Sequence, residues 1–290
     1  MNKRQAKKKK TARRILAVSL FALLLWTIWG NTALMANTIT IADSRIPAAF
    51  SGFRIAQISD LHNAEFGKDN AKLFKRLSEC EPDIIAVTGD LVDMNHTDLD
   101  VAITFAQKAI RIAPVYYVTG NHEAHLPQYD ALRDGLEAAG VILLDDKALQ
   151  LEHDGAKITI AGLSDPDFRT RYDMFEETSA AGAAFKKQIH ADQGYTILLS
   201  HRPELFESYV NCGADLVFSG HAHGGQFRLP FIGGLIAPNQ GLFPKYDAGL
   251  YIDGDTQMVV SRGIGNSIIP VRFHNRPEIV LAVLQAGRQK

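Results

Sequence analysis

Asp60-Leu61-His62, Gly89-Asp90, Asn121-His122-Glu123, Ser200-His201 and His221-Ala222-His223 are five short segments rich in carboxylate, amide and imidazole groups. Each follows an apolar run, at residues 53–58, 83–87, 115–118, 195–199 and 216–218. Runs of this length and composition predict buried strands, and 83–87 reads as one covered on both faces. A lone Asp or His after a strand is usually a helix cap or a surface group. Five such ends, two of them pairs separated by one residue, point to one shared cleft, because ligand sites in α/β sheets gather at the carboxyl ends of strands. Asp60, Asp90, Asn121, His62, His201, His221 and His223 are too many ligands for one tetrahedral zinc. They suit two borderline divalent ions (Mn, Fe, Zn or Co) that share a carboxylate. Two such ions clamp the attacking and leaving oxygens of a phosphoryl centre, and their excess positive charge attracts a phosphate ester. Gly89, Gly120 and Gly220 stand at or next to these ends, where a packed site needs tight turns. His96, His125, His153, His190 and His274 lie elsewhere and read as surface or supporting residues.

These ends need elements to carry them. Helical spacing appears at 72–77, 99–110 and 130–139, between the apolar runs. Further strands are predicted at 38–41, as an edge strand, and at 141–144 and 158–161. No Pro-, Gly- or Ser-rich linker divides the alternation, so residues 37–287 read as one α/β domain. The composition, 46% hydrophobic and 22% charged, excludes a disordered, collagen-like or coiled-coil chain. Two cysteines in 290 residues exclude a disulfide scaffold or a Cys-rich metal site, and Cys80 and Cys212 read as small core residues.

The charge is unevenly placed. Eight of the 31 Lys and Arg residues fall within residues 1–14, which leaves 23 basic against 32 acidic side chains in the rest. An acidic body argues against nucleic acid as a partner. Residues 15–35 carry no charge, enough helix to cross a bilayer, with Trp26 and Trp29 near the distal end. The reading adopted is a cytoplasmic basic segment (1–14), a transmembrane signal anchor (15–35) and a catalytic domain on the extracytoplasmic side of the cell membrane. A cleaved signal peptide and a buried core helix are the alternatives.

The five blocks, in order, resemble the signature of the calcineurin-like metallophosphoesterases, over about residues 37–284. Ile46-Pro47 ahead of Gly52-Phe53-Arg54-Ile55, the Gly224-Gly225-Gln226 extension, Ser261-Arg262-Gly263 and Arg276-Pro277-Glu278-Ile279 resemble the membrane-anchored bacterial branch. That branch includes phosphodiesterases and UDP-2,3-diacylglucosamine hydrolases. The resemblance implies a four-layer α-β-β-α sandwich of two mixed sheets behind one transmembrane helix. It implies one metal on Asp60, His62, Asp90 and His223 and another on Asp90, Asn121, His201 and His221. It gives His122 the work of orienting substrate or protonating the leaving oxygen, and Glu123 that of holding the His122 ring in one tautomer. The expected activity is a metal-dependent phosphoesterase, most specifically a phosphodiesterase or pyrophosphate-type hydrolase on a lipid-linked or UDP-2,3-diacylglucosamine-like substrate. The alternatives are a phosphomonoesterase or nucleotidase on soluble substrates and a metal-binding sensor without turnover. A serine hydrolase is not supported, since no Gly-x-Ser-x-Gly elbow occurs, and Gly263-Ile264-Gly265 reads as a turn. Residues 227–251 are apolar but too rich in Gly and Pro for a helix, and they read either as a loop packed on the sheet edge or as an apolar lip for acyl chains.

Overall fold

A strand whose two faces are both apolar must be covered twice, and the chain meets that demand by stacking two sheets. The structure is a computed structural model that describes residues 3–168, 194–266 and 269–287. His190 lies outside the described residues. The strands are β1 (Met35–Asp43), β2 (Arg54–Ile58), β3 (Ile84–Thr88), β4 (Val115–Val118), β5 (Ile142–Leu143), β6 (Lys147–His153), β7 (Ala156–Gly162), β8 (Thr196–Leu199) and β9 (Leu216–Ser219). Four two-residue strands follow, β10 (Arg228–Leu229), β11 (Gly233–Gly234), β12 (Ile236–Ala237) and β13 (Gly241–Leu242), then β14 (Gly249–Asp253), β15 (Thr256–Val260) and β16 (Glu278–Ala286). The helices are α1 (Lys3–Thr32), α2 (Ala71–Glu79), α3 (Leu99–Ala109), α4 (Asn121–Ala124), α5 (Tyr129–Ala139) and α6 (Phe206–Cys212).

One six-stranded sheet has the order β1-β16-β2-β3-β4-β5 and the other β14-β15-β9-β8-β7-β6. Both are mixed: β2 to β5 run parallel with β16 reversed beside β2, and β7, β8, β9 and β15 run parallel between reversed β6 and β14. β1 is an edge strand, as its period-two pattern predicts. Ile55, Ala86, Val118, Ile197, Phe218 and Val259 belong to the apolar layer between the sheets. On the outer face of the first sheet, Leu73 and Leu77 of α2, Phe105 of α3 and Leu132 of α5 pack against Ile85 and Val87. Phe206 and Tyr209 of α6 pack with Leu198, Val217 and Met258 on the other side. The layers are therefore α-β-β-α. Truncating a fully buried ring such as Phe105 to alanine would cost about 3–5 kcal/mol. Asp98 caps α3 by accepting the amides of Asp100 and Val101, and Gly140 ends α5 in the left-handed region at φ 95°.

One polar residue crosses the apolar layer. Gln57 Nε2 donates to Ser219 O at 2.8 Å and to Thr88 Oγ1 at 3.0 Å. It fastens the carboxyl ends of β2 and β3 to that of β9, so the strand ends of both sheets meet along one edge.

α1 contains Lys9–Thr32, a segment long and apolar enough to cross a membrane. Its side chains, among them Phe21, Leu24 and Leu25, stand exposed, which excludes a helix buried in the core. The helix stops at Thr32, because from Met35 the backbone pairs in parallel with β16 along all of β1. The uncharged stretch 15–35 thus ends inside the sheet, with two residues between helix and strand. Cys80 is buried and Cys212 half-buried, with the Cys212 thiol donating to Tyr209 O at 3.1 Å.

Candidate metal centre

β2, β3 and β4 deliver Asp60, His62, Asp90, Asn121 and His122 from one sheet, and β8 and β9 deliver His201, His221 and His223 from the other. All seven expected ligands converge. Donor atoms of Asp60, His62 and His223 lie within 4.8 Å of one another, as do those of Asp90, His201 and His221. Asn121 Oδ1 is 3.1 Å from His201 Nε2. Asp90 Oδ2 lies between the two sets, 3.6 Å from His62 Nε2 and 3.2 Å from His201 Nε2. A third set, His62 with Asp93 and His122, shares His62 with the first.

The backbone is bent to present these groups. Asp60, His62, Asp90, His221 and His223 have φ of 52°, 45°, 53°, 62° and 47°. Left-handed conformations of non-glycine residues cost of order 1–3 kcal/mol each and persist only where the surroundings over-determine them. Here they do. His221 N donates to Asp60 Oδ1 at 3.0 Å, His122 N to Asp90 Oδ1 at 2.9 Å, and His62 N to Asp90 O at 3.0 Å. The packing tolerates no side chain at Gly89, Gly120 or Gly220. A Cβ on Gly120 would collide with the Asp90 carboxylate, and one on Gly220 with Ser59 Oγ.

The donor set fits cations. His62 Nε2 faces His223 Nε2 at 3.1 Å, and His201 Nε2 faces His221 Nδ1 at 3.1 Å, both pairs buried. Two facing imidazole nitrogens hold at most one proton between them, whereas a cation accepts both lone pairs. His201 Nδ1 meets Thr88 O at 2.7 Å, which leaves Nε2 as the ligand atom. Burial pushes Asp60 up to about 6, with His201 and Asp90 pulling in opposite directions. Burial also raises Asp90, but His201 beside it outweighs this and holds the carboxyl well below its usual range. Burial disfavours the charge on His201, yet Asp90 pushes its pKa up to about 10. Burial brings His62 down to about 4 and takes His221 and His223 well below the ordinary imidazole value. Most of the imidazoles are thus neutral, the form a metal requires.

His122 is oriented by the backbone. Met94 N donates to its Nδ1 at 3.1 Å, which puts the proton of a neutral ring on Nε2. Glu123, expected to hold that ring, works elsewhere. Its oxygens accept the amides of Gly120 (2.7 Å), Asp90 (2.8 Å), Leu91 (2.8 Å) and Val92 (3.3 Å). A buried carboxylate needs several donors, and the turns after β3 and β4 supply four, so Glu123 ties the Asp90 turn to the Asn121 turn. Burial first, and Asp90 in the same direction, push it up to about 8 against the pull of those amides.

Asp93, Asn239 and Arg272 also lie at the centre without having been expected there. Asp93 could have been suspected from its place three residues after Asp90. Asn239 Nδ2 is 3.4 Å from His221 Nε2 and 3.1 Å from Glu204 Oε1, and Arg272 Nη2 is 3.3 Å from His223 Nδ1. No local pattern marks either. Gly263 and Gly265, read from sequence as a turn, press on Asp60 and Leu61, where a Cβ on either would collide.

Residues 227–251 form two hairpins, β10–β11 and β12–β13, in place of an irregular loop. Phe231 is fully exposed, and Ile232, Leu242 and Phe243 are 60–66% exposed, so these side chains do not pack on the sheet edge. The hairpins are fastened to the ligand segment: Leu235 N donates to Gly225 O at 3.1 Å.

Residues 53–225 match the profile of the family described as calcineurin-like phosphoesterase, a span that holds every residue of the cleft except Asn239 and Arg272. The chain belongs to the calcineurin-like phosphoesterases. It is therefore a hydrolase of phosphate esters. Members of this family normally carry a dinuclear metal site, and the clustered His and Asp groups match that chemistry. The uncharacterised metallophosphoesterase YkuE of Bacillus subtilis is 31% identical over 85% of this chain and 84% of its own length. A zebrafish "transmembrane protein with metallophosphoesterase domain" is 28% identical over 85% of this chain and 56% of its own length. The phosphopantetheinyl hydrolase of Mycobacterium tuberculosis aligns at 16% identity with a TM-score of 0.43, covering 73% of this chain and 89% of its own.

Proposed function

We propose that the chain is a membrane-anchored phosphodiesterase or pyrophosphate-type hydrolase acting on a lipid-linked substrate of the UDP-2,3-diacylglucosamine type. Asp60, His62, Asp90 and His223 would hold one divalent ion, and Asp90, Asn121, His201 and His221 the other, each Mn, Fe, Zn or Co. The observation that carries this reading is Asp90 Oδ2, set between the two donor sets within 3.6 Å of both. Bound ions supply Lewis-acid polarisation of the phosphoryl group and activation of water. The residues of the chain do the rest. Asn121 contributes a neutral oxygen, so the site keeps positive charge for the substrate. His122, with its proton on Nε2, donates a hydrogen bond from it to the phosphoryl or leaving oxygen, which orients the substrate and stabilises the charge that develops there. Its ring stands 4.4 Å from that of His62, close enough to the donor sets to reach a substrate there.

The lipid element rests on two features that meet. α1 is long and apolar enough to span a bilayer, and its basic flank favours a cytoplasmic start. The hairpins present Phe231, Ile232, Leu242 and Phe243 to solvent beside the cleft, the kind of patch that marks lipid or partner contact. They also sit on the side that α1 touches, since Phe227 bridges to Phe273 and the neighbouring His274 stacks on Trp26.

The test is a substrate panel with the full chain in detergent: a nitrophenyl phosphomonoester, a bis-nitrophenyl phosphodiester and a UDP-linked diacyl sugar, each with and without Mn and chelator. The expected order is the lipid substrate first, then the diester, then the monoester, with all turnover lost in chelator. Preference for the monoester would overturn the diesterase reading, and chelator-resistant turnover the two-metal reading.

A further inference from the structure

Residues 272–276 run as a short segment, bent at His274, between α1 and the last metal-site block, and they grip both. Toward the helix, Arg272 uses its backbone. Its N–H donates to Asn31 Oδ1 at 2.8 Å, and its carbonyl accepts from Asn31 Nδ2 at 2.9 Å. His274 stacks on Trp26 with ring centroids 6.5 Å apart. Arg276 donates from Nε to Ala33 O at 2.7 Å and lies over the Trp29 ring at 4.6 Å.

Toward the cleft Phe273 and the side chains of Asn275 and Arg272 take over. Phe273 bridges to Phe227, and its carbonyl accepts from Arg228 N at 2.9 Å. Asn275 Nδ2 donates to His223 O at 2.7 Å and to Gln226 O at 3.2 Å. The Arg272 guanidinium reaches deepest. It is 1% exposed, donates to Arg262 O, Asn266 Oδ1 and Gly265 O, and brings Nη2 to 3.3 Å from His223 Nδ1. Gly265 N in turn donates to Asp60 O at 2.6 Å. A buried guanidinium with several partners has one position, so Arg272 fixes what it touches. His274, at φ 52°, bends the segment, so that its residues reach the helix on one side and the ligand residues on the other.

We infer that residues 272–276 are a strut through which the last two turns of α1 position His223 and the backbone of Asp60, with Asn31 and Arg272 as positioning residues. The proposal rests on the two-metal reading above. The anchor then tethers the domain and also completes the site held by Asp60, His62 and His223. Partners that act through a ligand typically change metal affinity or activity by about 10–100-fold. Coupling of this kind is reciprocal, so metal at the cleft must also be felt at the helix.

The protein carries a built-in reporter, because its two tryptophans, Trp26 and Trp29, both lie in the contact. The experiment titrates zinc into metal-stripped full chain in detergent, following tryptophan emission and phosphodiester turnover together. In the wild type the emission should shift with the same midpoint as activity. In Asn31→Ala/Arg276→Ala, kcat should fall about 10-fold with KM within about twofold, the zinc midpoint should rise about 10-fold, and the emission shift should vanish. Arg276→Lys in the presence of Asn31 should restore part of the loss. Leu24→Ala, on α1 away from the contact, should behave as wild type. A folded double variant with wild-type kcat and zinc midpoint, or wild-type emission indifferent to zinc, would overturn the strut. If the double variant fails to fold, Asn31→Ala alone decides on the same two readouts. Zinc-independent turnover in the wild type would instead bring down the two-metal reading, and the strut with it.

Discussion

At the strand ends, Asp60, Asp90, Glu123 and four imidazoles lie buried, with exposures from 0 to 6%. A few residues further along the chain, Phe231 stands wholly in solvent, and Ile232, Leu242 and Phe243 are more than half exposed. The two regions depart from the usual distribution of polar and apolar groups in opposite directions. Buried polar groups and exposed apolar patches are the informative departures, because each carries a free-energy cost that something must offset. In the cleft the missing partner is positive charge. On the hairpins it is an apolar surface. The regions also differ in how they are held. Reciprocal amide–carboxylate bonds and left-handed turns lock the cleft, whereas each hairpin is a ladder of only two residues per strand.

The comparison breaks first, and most severely, at Asp90. Asp90→Asn removes a charge shared by both donor sets, so turnover should drop at least about 10³-fold, the equivalent of several kcal/mol of transition-state stabilisation. Elemental analysis should find less than one metal per chain. Wild-type turnover in this variant would remove the basis of the cleft's design.

His122→Ala sharpens the division inside the cleft. Turnover of an alkyl phosphodiester should fall about 10²-fold, the order expected when one hydrogen-bond donor to a developing oxyanion is lost. Metal content should stay at the wild-type level. The loss should be smaller on a nitrophenyl ester, whose leaving oxygen develops less charge. Equal loss on both esters would assign His122 to substrate orientation, and loss of a metal would make it a ligand.

The hairpins should respond to a different substrate variable. Phe231→Asp/Ile232→Asp should reduce turnover of a diacyl substrate about 10-fold, the order of one lost apolar contact, and leave the nitrophenyl diester within about twofold. Paired kinetics on the two substrates make the measurement. Equal loss on both would mean that the two regions form one functional unit.

The smallest effect lies outside both regions. Asp43 at the end of β1 pairs with Arg45, and although burial acts against its ionisation, Arg45 holds the carboxyl below its ordinary 3.8. A depressed carboxyl stabilises the fold above its unfolded pKa, and that contribution is lost as pH falls through the folded value. Asp43→Asn should therefore lower the melting temperature at pH 7 by an amount worth about 1 kcal/mol or less, since solvent screens the pair. Below pH 3.8 the variant and the wild type should converge. Turnover should not change, and a change would extend the functional region to the far end of the first sheet.

The chain announces its candidate ligands locally. Asp60, His62, Asp90, Asn121, His201, His221 and His223 each follow an apolar run, and a run that ends in a metal-binding residue is visible within about ten residues of sequence. The helices 99–109 and 129–139 and the edge strand β1 were equally legible, because their periods are short-range properties. The point where α1 gives way to β1 was not legible, because the pairing of Met35 with Glu278 joins positions far apart in the chain that no local pattern can signal.

Tertiary structure alone decided what supports the ligands. Glu123 turned from His122 to the amides of the Asp90 turn, because a buried carboxylate goes where several donors converge, and convergence is a property of the fold. The exposure of Phe231 depends on which face of the sheet edge is already filled, so its composition fitted core and lip equally well. Asn31 and Arg272 meet across 241 residues of sequence. Residue type states what a side chain can bind, and the path of the backbone states what it does bind. The sequence by itself determined the chemistry of this protein, and the packing of the two sheets decided which groups hold that chemistry in place.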